Sequence, residues 1–93
     1  MSHDITAHLK KREDPELYSF NRTCSDDITY FYEVLKCEEF NGSFSGIGKG
    51  KTFKREEILE ALELMLLYDD PDIRELLFLT RCAKHDKIYI HFS

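Results

Sequence analysis

Apolar and polar positions follow two periods along the chain, and the clearer one is helical. Between Lys54 and Tyr68, residues Ile58, Leu59, Ala61, Leu62, Met65 and Leu66 fall on one wide face at about 100° per residue. Glu56, Glu60 and Glu63 gather opposite, and Leu64 and Tyr68 widen the apolar arc on one side. No Gly or Pro interrupts the run. Thr52 is placed to cap it, and Glu56 and Glu57 suit the positive end of its dipole. Leu67 lands in the acidic stripe, which implies that this helix is covered on more than one side.

A second helical period begins at Asp70-Pro71, an N-cap followed by a first-turn proline. It runs to about Lys84, with Ile73, Leu76, Leu77, Thr80 and Ala83 inward and Leu79 extending that face. Phe78 and Cys82 lie off it, beside Arg74 and Glu75.

The other period is two. KIYIHF, Lys87 to Phe92, alternates Ile88 and Ile90 against Tyr89 and His91. ELYSFNRTC, Glu16 to Cys24, puts Tyr18, Phe20, Arg22 and Cys24 on one side. Ser25-Asp26-Asp27 reads as a turn, and ITYFYEVLKC, Ile28 to Cys37, is dense in β-branched and aromatic residues. The spacing of Ile28, Phe31 and Leu35 also fits a helix capped by Ser25. Strand is the favoured reading, because Thr-Tyr-Phe-Tyr is costly in a helix. Asn41-Gly42 signals a hairpin, with a third strand around Ser43 to Ile47. Residues 1–13 carry Ile5 and Leu9 as their main apolar side chains and read as a flexible tail or one helical turn. The expected fold is a single two-layer α+β domain over residues 14–93. It has an antiparallel sheet of three to four strands with two helices on one face, in the order βββααβ.

Composition narrows the class. Ninety-three residues suffice for one core, and 42% hydrophobic with 33% charged residues is ordinary for a globular domain. No apolar run reaches the roughly 20 residues of a membrane span, and the N-terminus has no apolar signal segment. A cytoplasmic protein is expected. A net charge of −5 gives no general attraction for nucleic acid or anionic lipid. Cys24, Cys37 and Cys82, an odd count at wide spacing, read as reduced thiols.

Candidate chemistry concentrates before the first helix. Gly50-Lys51-Thr52 supplies the second half of a phosphate-binding P-loop, but position 45, where the first glycine belongs, is Ser45. Lys49, Lys51, Lys54 and Arg55 nevertheless make a basic cluster in a glycine-rich stretch, residues 46–55, at a helix N-terminus, a natural anion site. The order strand, strand, strand, basic glycine loop, helix is similar to double-stranded-RNA-binding domains, over Tyr32 to Met65. That resemblance implies a nucleic-acid or phosphate ligand for the four cations. The alanine-rich helix face and the first helix of that family are absent from the pattern, and Glu56, Glu57, Glu60 and Glu63 stand behind the loop. Cys82 and His85 have a C-x2-H spacing with no C-x-x-C to complete a zinc site. Tyr30, Tyr32 and Tyr89 could line a pocket, though packing on the sheet explains them as well.

No nucleophile and base stand in a local catalytic motif, so a non-enzymatic protein without metal or cofactor is expected. Surplus apolar surface at Leu67, Phe78 and Leu79 points to another protein as partner, most simply a second copy in a homodimer. Nucleic-acid or phosphate binding through residues 46–55 is the alternative; no membrane partner is expected.

Overall fold

A computed structural model describes residues 2–9, 13–23 and 26–93, the side chain of Asp26 excepted. It is an α+β domain: a four-stranded antiparallel sheet with three helices packed on one face. The strands are β1 (His3–Leu9), β2 (Glu16–Arg22), β3 (Lys49–Lys54) and β4 (Lys87–Phe92), in the sheet order β2-β1-β4-β3. The helices are α1 (Asp26–Val34), α2 (Arg55–Met65) and α3 (Pro71–Cys82). The chain order is therefore ββαβααβ. The expected class holds, while two of the expected elements change type.

The first correction is Ile28 to Cys37. It is a helix over Asp26–Val34, not a strand. Ile28, Phe31, Tyr32 and Leu35 are all buried, at the i, i+3, i+4, i+7 spacing of one helix face. Burying that face outweighs the β propensity of Thr-Tyr-Phe-Tyr, a contest that packing routinely wins. The Asp27 carboxylate accepts from the Ile28 N–H at 2.9 Å. At the other end Lys36 takes a left-handed conformation, φ 58°. There the Cys37 N–H reaches the Tyr32 carbonyl at 3.0 Å and the Lys36 N–H reaches that of Glu33 at 3.0 Å. This is a Schellman ending, with lysine in the place where glycine is usual. With Tyr32 on a helix, the likeness to double-stranded-RNA-binding domains ends. The expectations for Cys24 and Ser25 lie outside the described residues.

The second correction lies within the N-terminal segment, where residues 3–9 form a strand and not a tail or a helical turn. β1 sits inside the sheet, pairing Ile5 with Phe20 of β2 and with Phe92 of β4. His3, Ile5 and Ala7 face the helices and are buried. His3 hydrogen-bonds through Nδ1 to the Tyr32 hydroxyl at 2.9 Å, tying the strand to α1.

The third concerns residues 41–54. Asn41-Gly42 does open a tight turn, but it closes with one isolated bridge, Asn41 to Gly46, and not with a strand over Ser43–Ile47. The strand lies further on, at Lys49–Lys54, on the edge of the sheet. Thr52 is therefore in β3, and Lys54 is the residue that precedes α2. Its N–H is capped by the Glu57 carboxylate at 2.9 Å.

α2, α3 and β4 follow the expected pattern, except that α2 ends at Met65 and the 3-10 turn after it leaves Leu66 and Leu67 exposed, where the period placed Leu66 on the inner face and Leu67 under cover. Ile58, Ala61, Leu62 and Met65 of α2 and Ile73, Leu76, Leu77 and Thr80 of α3 are buried. Ile88, Ile90 and Phe92 of β4 meet them from the sheet. Asp70 caps α3 by accepting from the Asp72 N–H at 2.9 Å, and it is itself buried. Arg22 on edge strand β2 reaches over to bind Asp70, and Asp72 at 2.8 Å. Tyr18 donates to the other Asp72 oxygen at 2.6 Å. No helix among the described residues is long and apolar enough to cross a membrane.

Candidate interaction surface

The basic cluster is dispersed by the strand that carries it. In β3, Lys49, Lys51 and Phe53 pair with Phe92, Ile90 and Ile88, so they point to the helix side of the sheet. Gly50, Thr52 and Lys54 point to the open side. Lys51 lays its ammonium over the Phe53 ring, 5.3 Å from the centroid. Arg55 is turned away from all three lysines. Its guanidinium donates to the carbonyls of Thr80 at 3.0 Å and Arg81 at 2.6 Å, holding the last turn of α3. The four cations thus do not converge on one point. The glycines have local reasons of their own. Gly48 has φ 79°, and Gly50 lies under the Tyr89 ring.

The tyrosines do not share a pocket either. Tyr32 is buried beside His3, Tyr30 packs at a tilt against Tyr68, and Tyr89 lies on the open sheet face with His8 and His91. Tyr89 and His91 join through the hydroxyl and Nδ1 at 3.2 Å. Cys82 is exposed. Cys37 is buried, and burial first, then Glu39, pushes its thiol up to about 12. No group of three metal-ligating side chains comes together among the described residues.

Phe44 and Ile47 are exposed in the segment before β3, and the other large exposed apolar side chains among the described residues lie on the helical layer. Leu67 is 70% exposed and Phe78 60% exposed, while Leu79 is half-buried at the margin. Leu64, Leu66 and Tyr68 are exposed as well, so the 3-10 turn at Leu66–Tyr68 is apolar on its outer side. Two ion pairs flank this surface: Arg81 of α3 with Glu63 of α2 at 3.4 Å, and Arg74 of α3 with Asp69 in the turn before it at 2.7 Å. Leu67 follows Glu63 by one turn, and Phe78 lies one turn from Arg74 and three residues from Arg81. The apolar pair is therefore bracketed by charges of both signs. Both ion pairs are solvent-exposed, so each contributes little to stability and is free to rearrange.

A second feature on the same layer lies outside what sequence reasoning found. A groove of about 280 Å³ lies between the end of α1, α2 and β3. Phe53, Ala61 and Leu35, all buried, form its floor. Val34 and Leu64 form its apolar lips, Glu57 and Glu60 its α2 rim, and Lys36 its α1 rim. The left-handed backbone that ends α1 is what sets Lys36 there. The only trace of the groove in the sequence is Leu64, an apolar residue set among glutamates.

No protein-family model, no curated protein and no solved structure matches the chain.

Proposed function

We propose that this chain is a small, non-enzymatic protein-interaction module of the cytoplasm that pairs with a second copy of itself through the outer face of α2 and α3. One observation carries the reading: Leu67 and Phe78 are large apolar side chains 70% and 60% exposed, each one helical turn from a member of an exposed ion pair. Large exposed apolar clusters with polar rims mark contact surfaces. The rim argues for the partner. It carries both signs, with Arg74 and Arg81 beside Asp69 and Glu63, and so complements itself; a polyanion would meet repulsion. A two-fold dimer is the commonest assembly that uses such a surface.

Light scattering on a sizing column tests the reading. The unmodified chain is expected to rise toward the dimer mass between about 5 and 500 µM, the range of moderate affinity. Phe78→Asp is expected to stay monomeric across that range with an unchanged circular dichroism spectrum. A monomeric unmodified chain at every concentration contradicts it.

Phosphate or nucleic-acid binding is a second reading, favoured by one placement. Lys54 stands directly opposite Lys87 on the open sheet face, where like charges repel unless an anion lies between them. Filter retention of single-stranded RNA in low salt, lost in Lys54→Glu, is the expected result of that reading. No retention by the unmodified chain removes it.

A further inference from the structure

We infer that the pairing is an exchange, in which Phe78 of each copy enters the groove between α1 and α2 of the other. This inference rests on the proposed self-association and specifies its joint. Three observations on the same helical layer meet in it.

The first is size. The groove, about 280 Å³, lies just below the roughly 300 to 1,000 Å³ of ordinary small-ligand pockets. It has room for one large side chain, and its floor of Phe53, Ala61 and Leu35 is apolar. Phe78 is the exposed aromatic side chain on α3 and points away from the core, since Ile73, Leu76, Leu77 and Thr80 hold the opposite side of that helix. An aromatic anchor in a matching pocket is the usual centre of an interface.

The second is charge order. At about 100° per residue, Arg74 and Arg81 lie on one flank of Phe78, and Glu75 and Cys82 lie on the other. The groove is ordered in the complementary way. Glu57 and Glu60 line its α2 side, and Lys36 lines its α1 side. With Phe78 seated, the arginine flank meets the glutamates and Glu75 meets Lys36. Arg74 and Arg81 give up only exposed pairs with Asp69 and Glu63 to do so.

The third is reciprocity. Each chain carries both the anchor and the groove on the same layer, with α2 packed between α1 and α3. A two-fold axis near the exposed Leu67, in the 3-10 turn that follows α2, would form both joints at once, and the assembly closes at two copies.

Sedimentation velocity on three chains tests the inference: unmodified, Phe78→Asp, and a groove variant carrying Glu60→Lys with Leu64→Lys. Positions 60 and 64 are exposed and outside the α2–α3 seam, so the fold is expected to survive; Leu64→Ser with Glu60→Lys serves if it does not. The groove variant is expected to lose affinity by about tenfold or more, the scale of a disrupted anchor site. An equal mixture of the two variants is expected to hold more dimer than either alone, because one Phe78 and one intact groove still meet. A groove variant that pairs as tightly as the unmodified chain overturns the exchange and leaves self-association standing, as does a mixture with no added dimer. An unmodified chain that stays monomeric overturns both.

Discussion

A side chain at position 50 has nowhere to go. A Cβ there would lie 2.6 Å from the Ile90 carbonyl oxygen, with the Tyr89 hydroxyl closer still. Gly50 is thus the seat of an aromatic ring crossing from the neighbouring strand. In the sequence, the same Gly-Lys-Gly-Lys-Thr run reads as half of a phosphate loop, because local spacing carries no record of a ring 39 positions later in the chain. Gly50→Ala is expected to cost about 1–3 kcal/mol, the usual scale of overpacking. The check is a lower urea midpoint at unchanged slope. Tyr18 provides a second single-residue outcome. Its hydrogen bond to Asp72, with burial and the Asp72, Glu75 and Asp70 charges, raises its pKa to about 12 from 10.0. The folded state therefore holds this proton longer than the unfolded state does. Its contribution is complete below about pH 10 and is lost as pH rises toward 12. Tyr18→Phe is expected to flatten that part of the alkaline stability profile, measured by urea melts at successive pH values. A Tyr18→Phe profile with the same slope as the unmodified one contradicts this.

Helices α2 and α3 and strands β2 and β4 were legible as elements because each writes its own period over several residues, with Asp70-Pro71 marking a boundary. α1 was not, because two periods compete in Ile28–Leu35 and only the packing of Phe31 and Tyr32 against Phe92 decides between them. β1 was missed for a related reason. His3, Ile5 and Ala7 alternate with Asp4 and Thr6, but histidine and alanine are weak apolar signals. What makes β1 a strand is pairing on both sides, with residues up to 87 positions away. Removal of residues 2–9 is therefore expected to abolish the fold, since it separates β2 from β4. A dispensable tail would leave the amide spectrum dispersed; a collapsed spectrum is expected instead.

Across the whole molecule, the sheet buries one face under three helices, and the helical layer turns its spare apolar residues outward. Leu67 and Phe78 were legible in sequence because both fall out of phase with the buried positions of their own helices. The groove was not, since it exists only where α1, read as strand, stands beside α2. The central claim is that this layer, and not the open sheet face with Thr6, His8 and Tyr89, is where a second copy binds. The most direct measurement is an amide NMR dilution series from about 500 to about 5 µM, which spans moderate affinities. Shifts are expected to move with concentration at Leu64, Leu67, Phe78 and Val34–Lys36, with Thr6, His8 and Tyr89 still. Spectra that do not change with dilution, or changes confined to the open sheet face, would contradict the claim.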